Sequence, residues 1–353
     1  MKKIRSTVIA LVGSVTAAAM LTGCATFPVA NTTPQKSTDY SQHAKSTHHA
    51  VGFKTSPLHA QTTYQLMSTT QRVRPDFYVN LKKNIYYSNR VMVVSFHDMS
   101  LHLKSPYNMS PAAFGQDLQA LQQYHFNVIS NQQFTSWLEH RSPVPPNAVM
   151  LTFDDGYQSM YTHTFPILRS HHMTGTFFII THAQDVHFPG FMTWPEVQSL
   201  SKGGMTVESH TYDLHYDVNV NGKLIPAFDT PFYKGHWQTP TQYFQRDYRD
   251  FLTARLQLQQ HLGLPVNEIA WPYGYGNLMA YKAAQAAGYR FFFTTAAGVD
   301  TPWTSSWYIR RIDVGLAKTP QQVVNEILHS AGSPAVLVPV KHTVSHKSVG
   351  HSV

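Results

Sequence analysis

Eight strand candidates, most of them short apolar runs, at 91–96, 126–129, 148–153, 176–181, 205–208, 268–271, 291–294 and 308–314, are spaced along the middle of the chain, and stretches of helical periodicity lie between most of them. A strand followed by a helix cannot return as a tight hairpin, so a succession of such units predicts a parallel sheet with helices packed on it. Ser110-Pro111 is a cap and first-turn pair for a helix that shows Phe114, Leu118 and Leu121 on one face. Further helices are predicted at 131–140, 158–171, 194–202, 241–262, 277–287 and 320–330, with Gly263 and Gly288 as stop signals. Seven or eight units in about 240 residues are enough to close a barrel, although an open sheet has the same periodicity. The stretch 216–240 has no clear period and is expected to be a loop over the site.

The run at 148–153 ends in Asp154-Asp155-Gly156-Tyr157. Successive side chains of a strand point to opposite faces. Two adjacent aspartates therefore share a site only where the strand ends and turns, which Gly156 permits. An Asp-Asp-Gly triplet is also an ordinary turn signal. What adds chemistry is Ser209-His210-Thr211-Tyr212-Asp213-Leu214-His215, which again follows an apolar run. The pair of histidines alone says little, because 21 histidines in 353 residues give roughly one such spacing by chance. Five residues is the wrong interval for one face of a helix, so the pair belongs on a loop after a strand. One carboxylate with two imidazoles is the ligand set of a catalytic divalent ion, leaving the second aspartate free to act as a base.

These two motifs, together with Ala270-Trp271-Pro272-Tyr273-Gly274 and the upstream Ser95-Phe96-His97-Asp98, resemble the polysaccharide deacetylases, carbohydrate esterase family 4 or the NodB-homology domain. Having the His97 motif ahead of the Asp-Asp motif is similar to the poly-N-acetylglucosamine deacetylase branch. The resemblance spans about residues 90 to 315 and implies an α/β fold, a distorted (β/α)7 barrel with its site at the rim. It implies that Asp155, His210 and His215 bind a divalent metal, Zn²⁺ first and Co²⁺, Ni²⁺ or Fe²⁺ as alternatives. Asp154 would then be the general base, His97 the acid for the leaving amine, and the Tyr273 main-chain N–H an oxyanion donor. An arginine that many relatives carry three residues before the motif proline is replaced by Ile269, and Arg310 or Arg311 is the candidate substitute, with Arg311 preferred. Tyr157, Trp194, Tyr212 and Trp271 lie near the motifs; Tyr212 and Trp271 are taken as the sugar-binding aromatics. Asp300, Trp303 and Trp307 are candidates for the acetyl pocket.

The resemblance thus implies a hydrolase removing N-acetyl groups from a cell-surface or matrix polysaccharide, poly-β-1,6-N-acetylglucosamine first and peptidoglycan or another N-acetylated glycan second. A glycoside hydrolase needs carboxylates on opposite sides of the scissile bond, which adjacent aspartates fit badly. An inactive carbohydrate-binding lipoprotein is the alternative from another class, and here every motif keeps its reactive side chains.

Ahead of this region, Lys2, Lys3 and Arg5 precede an apolar stretch at 8–20, too short to span a bilayer comfortably and shaped like an export signal. It ends in Leu21-Thr22-Gly23-Cys24, which resembles a lipobox, so Cys24 is the expected lipidation site and membrane anchor. Cys24 is the sole cysteine, which excludes disulfides within the chain. The expected organisation is a signal peptide at 1–23, a tether at 24–88, the catalytic domain at 89–332 and an unstructured tail at 333–353. Removing the first 23 residues leaves 24 basic against 19 acidic residues. There are no Lys/Arg runs that would track phosphates, so nucleic acid is not an expected partner. The expected partners are an N-acetylated polysaccharide and the membrane, with the protein extracytoplasmic and monomeric.

Overall fold

The computed structural model describes residues 77–101, 105–315 and 318–334. The expectations for the signal peptide, for Cys24, for most of the tether and for nearly all of the C-terminal tail lie outside these residues. In chain order the elements are β1 (Val91–Phe96), α1 (Pro111–Gln123), β2 (Asn127–Val128), α2 (Asn131–Leu138), β3 (Ala148–Phe153), α3 (Phe165–Ser170), β4 (Thr176–Ile179), α4 (Thr181–Asp185), α5 (Trp194–Lys202) and β5 (Thr206–Ser209). They continue as β6 (Asp217–Val220), β7 (Lys223–Pro226), β8 (Phe232–Tyr233), β9 (His236–Trp237), α6 (Pro240–Leu262), β10 (Glu268–Ala270), α7 (Leu278–Ala286), β11 (Phe291–Phe293), β12 (Ile312–Asp313) and α8 (Pro320–Ser330).

Seven strands pair in the order β11-β10-β5-β4-β3-β1-β12, every pair parallel, with β2 beside β3. The two ends of this sheet approach each other. Ile309, ahead of β12, donates its N–H to Phe292 (3.0 Å) and accepts from Thr294 (2.9 Å), a parallel bridge that curls the sheet toward the expected distorted (β/α)7 barrel. Strand alternation then sorts the core. Met92, Val94, Phe96, Leu151 and Phe153 pack under the helices with Phe114 and Leu168. Val91, Val93, Ala148, Met150 and Phe178 face the other way, into the barrel, where Phe134, Trp137 and Leu138 of α2 join them.

Phe153 shows how tightly the end of β3 is set. Its ring stacks on Phe96 (5.4 Å) and Phe177 (4.7 Å), and a Cβ on Gly175 would fall 2.6 Å from it. The expected caps are present: Ser110 Oγ accepts the Ala113 N–H at 3.1 Å, and α6 stops at Gly263 with φ 69°.

Three expectations need correction. The stretch 216–240 is not an irregular loop but two antiparallel hairpins, β6–β7 and β8–β9, joined through a short helical turn at Ala227–Asp229. The signal was present: Asn221-Gly222 takes φ values of 54° and 85°, the two left-handed positions of a tight hairpin turn. Arg246 of α6 fastens this insertion, donating to the carbonyls of Ala227 (2.8 Å) and Thr230 (3.1 Å) with its guanidinium over Tyr233 and Tyr243. Second, the runs at 126–129 and 308–314 contribute strands of only two residues each. Third, the packed fold begins before residue 89, because Tyr86 and Tyr87 are buried in the core.

Asn147 holds that N-terminal segment in place. Its Oδ1 accepts the N–H groups of Tyr86 (2.8 Å) and Tyr87 (3.3 Å), and its Nδ2 donates to the carbonyls of Asn84 and His125. Replacing Asn147 with Ala strands these buried groups at a residue with φ 52°. The expected loss is about 3 kcal/mol of folding stability, to be read by urea denaturation.

Candidate active site

His97, Asp154 and His210 each follow directly on the C-terminal end of a strand, β1, β3 and β5 in turn. β3 hands over to Asp154, whose N–H is held by the Phe96 carbonyl at 3.0 Å. The chain then turns through Asp155 (φ 82°) and Gly156 (φ 89°), two consecutive left-handed residues, so that neighbouring carboxylates serve one site. A Cβ on Gly156 would lie 3.0 Å from Ile179. His210 follows β5 directly.

Asp155, His210 and His215 come together, their candidate ligand atoms all within 4.8 Å of one another. His210 Nε2 and His215 Nε2 lie 3.3 and 3.2 Å from Asp155 Oδ1. His210 Nδ1 lies 2.8 Å from the Ala270 carbonyl, which can only accept, so Nδ1 carries the proton and Nε2 has a free lone pair. Burial opposes ionisation of Asp155, but the two imidazoles beside it hold its carboxyl well below the usual range. Burial likewise works against the imidazolium of His215, and Asp155 outweighs it, raising its pKa. An anionic oxygen and two imidazole nitrogens facing one point, with one ring oriented by a main-chain carbonyl, fit a divalent cation such as Zn²⁺.

Asp154 meets a different partner. Arg311 is fully buried and grips it with both arms, Nη1 to Oδ1 at 2.8 Å and Nη2 to Oδ2 at 2.7 Å. Nε of the same guanidinium donates to the Thr294 carbonyl at 2.9 Å, and Nη1 also reaches Thr152 Oγ1 at 3.2 Å. Burial pushes the Asp154 carboxyl up, but the charges of Arg311, His210 and His97 and the Arg311 hydrogen bonds bring it below its ordinary value. Ile269, where the resemblance leads one to expect an arginine, is a core residue. The guanidinium comes instead from the segment that closes the barrel.

His97 follows β1, close enough for its charge to act on Asp154. Its ring lies 5.2 Å from Tyr107, and its buried Nδ1 has no hydrogen-bond partner among the described residues. Asp98 is occupied elsewhere, accepting from Ser159 Oγ (2.7 Å) and Asn108 Nδ2 (2.9 Å). Tyr273 stands at the rim with φ 59° and its ring 5.1 Å from His215. Burial, with the charges of Asp217 and Asp155, pushes its phenol up to about 12.

Of the two expected sugar platforms, one is enclosed. Trp271 is buried, packed against Phe228, Phe251, Tyr281 and Phe292, and presents no face to a ligand. Tyr212 is half-buried, its ring edge-on to His182 at 4.9 Å, and it lines a cavity together with Tyr233 and Arg249. Tyr157 lies nearer the ligand residues: burial and then the Asp155 charge raise the pKa of its phenol, and its ring is 5.0 Å from Phe191. The acetyl-pocket candidates lie elsewhere too. Asp300 bridges Val91 at the opposite end of β1, Trp303 packs on Phe77, and Trp307 on Tyr281.

Residues 141–292 match the family model described as Polysaccharide deacetylase. Among curated proteins, the chain is 27% identical over 232 residues to the poly-beta-1,6-N-acetyl-D-glucosamine N-deacetylase of Escherichia coli K12, covering 60% of this chain and 34% of that protein. It is 25% identical over 224 residues to the protein of the same name from Staphylococcus aureus MSSA476, covering 62% and 71%. The chain therefore spans about a third of the length of the first curated relatives it matches. Among solved structures, a de-N-acetylase from Aggregatibacter actinomycetemcomitans superposes with a TM-score of 0.62 at 25% identity, over 67% of this chain and 99% of the other. IcaB from Ammonifex degensii gives 0.59 at 27%, over 68% and 97%.

The chain thus matches the polysaccharide deacetylase family over residues 141–292, on a fold similar to that of a solved de-N-acetylase. Its relatives include poly-N-acetylglucosamine deacetylases. The family match begins after β1 and ends within β11, so His97 and Arg311 both lie outside it.

Replacing Asp155 with Asn removes the anionic ligand while preserving shape. The purified variant is expected to retain about a tenth or less of the wild-type divalent metal, measured by elemental analysis, with an unchanged circular dichroism spectrum.

Proposed function

We propose that the chain is a metal-dependent hydrolase that removes N-acetyl groups from an extracellular polysaccharide, with poly-β-1,6-N-acetylglucosamine as its substrate. The observation that carries this reading is the Asp154 carboxylate, clamped by Arg311 and kept ionised, one residue from the Asp155-His210-His215 cluster. The names of the curated relatives support the substrate.

Asp155, His210 and His215 would hold the cation, which when bound supplies a Lewis acid that polarises the acetamide carbonyl and acidifies water. Asp154 accepts the proton of the attacking water. Arg311 keeps that carboxylate ionised and restricts its rotation, since both carboxylate oxygens are engaged. The main-chain N–H of Tyr273 donates to the oxygen on which negative charge develops. His97 protonates the departing amine, because an amide nitrogen leaves poorly as an anion.

Acetate release from poly-β-1,6-N-acetylglucosamine oligomers, compared with peptidoglycan and repeated with a chelator, is the deciding assay. Release that is faster from the first substrate and abolished by chelation is expected; activity on peptidoglycan alone would reassign the substrate. Asp154→Asn should lower turnover by about a thousandfold with metal content retained, and His97→Ala by about a hundredfold.

Arg311→Met tests the pH dependence. Loss of the guanidinium removes the largest influence lowering the Asp154 carboxyl, so its pKa rises. A base works only when deprotonated, so the acid limb of the kcat/KM profile is expected to move to higher pH.

Lipid attachment at Cys24 and residence on the outer face of the cell membrane belong to the same proposal, and rest on Leu21-Thr22-Gly23-Cys24 following an export signal. Labelled fatty acid should be incorporated into the wild-type protein and not into Cys24→Ser.

A further inference from the structure

Two candidate ligands, His210 and His215, sit at either end of a loop with no strand or helix of its own. Something must set the distance between their imidazoles. The first residue is positioned by the barrel, through the bonds from the His210 N–H to the Ile179 carbonyl (2.9 Å) and from its ring to the Ala270 carbonyl. The chain then reverses at Thr211, which holds φ 75°, and the next two N–H groups point out of the loop.

Both of those N–H groups end on one carboxylate. Asp250, on α6, accepts the Tyr212 N–H with Oδ1 at 2.9 Å and the Asp213 N–H with Oδ2 at 2.8 Å. Asp250 is buried, and its helix is anchored beneath it by Phe251, Ala254 and Leu258, all fully enclosed. On the loop's other side, the carbonyls of Thr211 and Tyr212 accept from Thr181 (3.2 Å) and His182 (3.1 Å) at the start of α4. The peptide between the histidines is thus gripped from two directions, and on the α6 side the grip is a single side chain.

We propose that Asp250 is a positioning residue for the metal centre: by accepting the N–H groups of Tyr212 and Asp213 it sets the separation of His210 and His215, and so the affinity with which the cluster holds a divalent cation. The inference rests on the reading of Asp155, His210 and His215 as metal ligands. It goes beyond that reading by placing part of the metal affinity on a helix outside the barrel. Groups that orient metal ligands typically contribute ten- to a hundredfold in affinity. With two N–H groups deprived of their acceptor, the loop relaxes and the second imidazole no longer meets the first at a fixed separation.

Zn²⁺ or Co²⁺ titration of the metal-stripped full-length protein tests this, with Kd and the visible spectrum of bound Co²⁺ as readouts and the melting temperature recorded in parallel. Asp250→Ala is expected to weaken binding by about ten- to a hundredfold and to alter the Co²⁺ spectrum. Asp250→Asn keeps one acceptor oxygen and should fall between Asp250→Ala and wild type; it carries the test if the alanine variant does not fold. Leu258→Ala is the control, since it hollows the same helix without touching the loop and should lower the melting temperature at unchanged Kd.

Wild-type affinity in Asp250→Ala, or an equal loss in Leu258→Ala, overturns the positioning role. A wild-type protein that takes up no cation overturns the metal reading itself, and this inference with it.

Discussion

The buried pair of Arg311 and Asp154 is the contact on which both the barrel and the site depend. Two charges removed from water are tolerable only when each is matched in geometry and the remaining donors are used. Here the guanidinium also meets Thr294 and Thr152, so its donors are taken up on several sides. Removing one partner would leave the other charge uncompensated inside the protein, a cost of about 3–5 kcal/mol. Arg311 sits on the segment that joins the sheet's two ends, its own N–H bonded to the Ala296 carbonyl at 3.0 Å. The segment that closes the barrel therefore also supplies the counter-charge of Asp154.

The interior of the barrel changes character along its axis. At the end where the strands begin, Val91, Val93 and the α2 residues Phe134 and Trp137 fill it with apolar atoms. Higher up, the same inward-facing positions carry Ser95, Thr152 and then Asp154. An acidic wedge lies to one side. Glu208 accepts the N–H groups of Asn267 (3.1 Å) and Glu268 (3.0 Å), where β5 and β10 share a single register pair. Glu268 in turn accepts from Asn131 at 2.6 Å, and burial pushes its carboxyl up to about 8. These side chains supply hydrogen bonds that a regular ladder would have made, which is how the ring stays joined although its strands splay.

Much of this was legible before the fold was seen, and the misses have physical causes. Apolar runs of four to six residues marked the long strands because both faces of a barrel strand are buried. β2 and β12, at two residues each, carry too little pattern to be bounded. Asp154, Asp155, His210 and His215 stood out through residue type and position after strands. Arg311 could be nominated only as one of two neighbours, since nothing in Tyr308 to Val314 says which side chain faces inward. Trp271 misled for a related reason. It follows Ala270, an inward residue, so alternation turns it to the helix side, where it became core. Tyr157 follows the left-handed pair Asp155-Gly156, a turn that leaves it close enough to Asp155 to feel that charge.

The pair of hairpins between β5 and α6 is fastened to helices rather than to the sheet. Arg246 grips its middle, and Asn277 at the start of α7 binds Asp229 through its main-chain N–H (2.6 Å) and its side chain (2.9 Å). Its first strand brings Asp217 near enough to Tyr273 for the charge to be felt there. The segment's middle is rooted in the main core, where Ala227 and Phe228 are fully enclosed and Phe228 stacks on Trp271, so only its outer turns, such as Asn221-Gly222, are free to vary in length or charge. Those turns are the parts of the insertion that can drift in sequence without disturbing the barrel's packing.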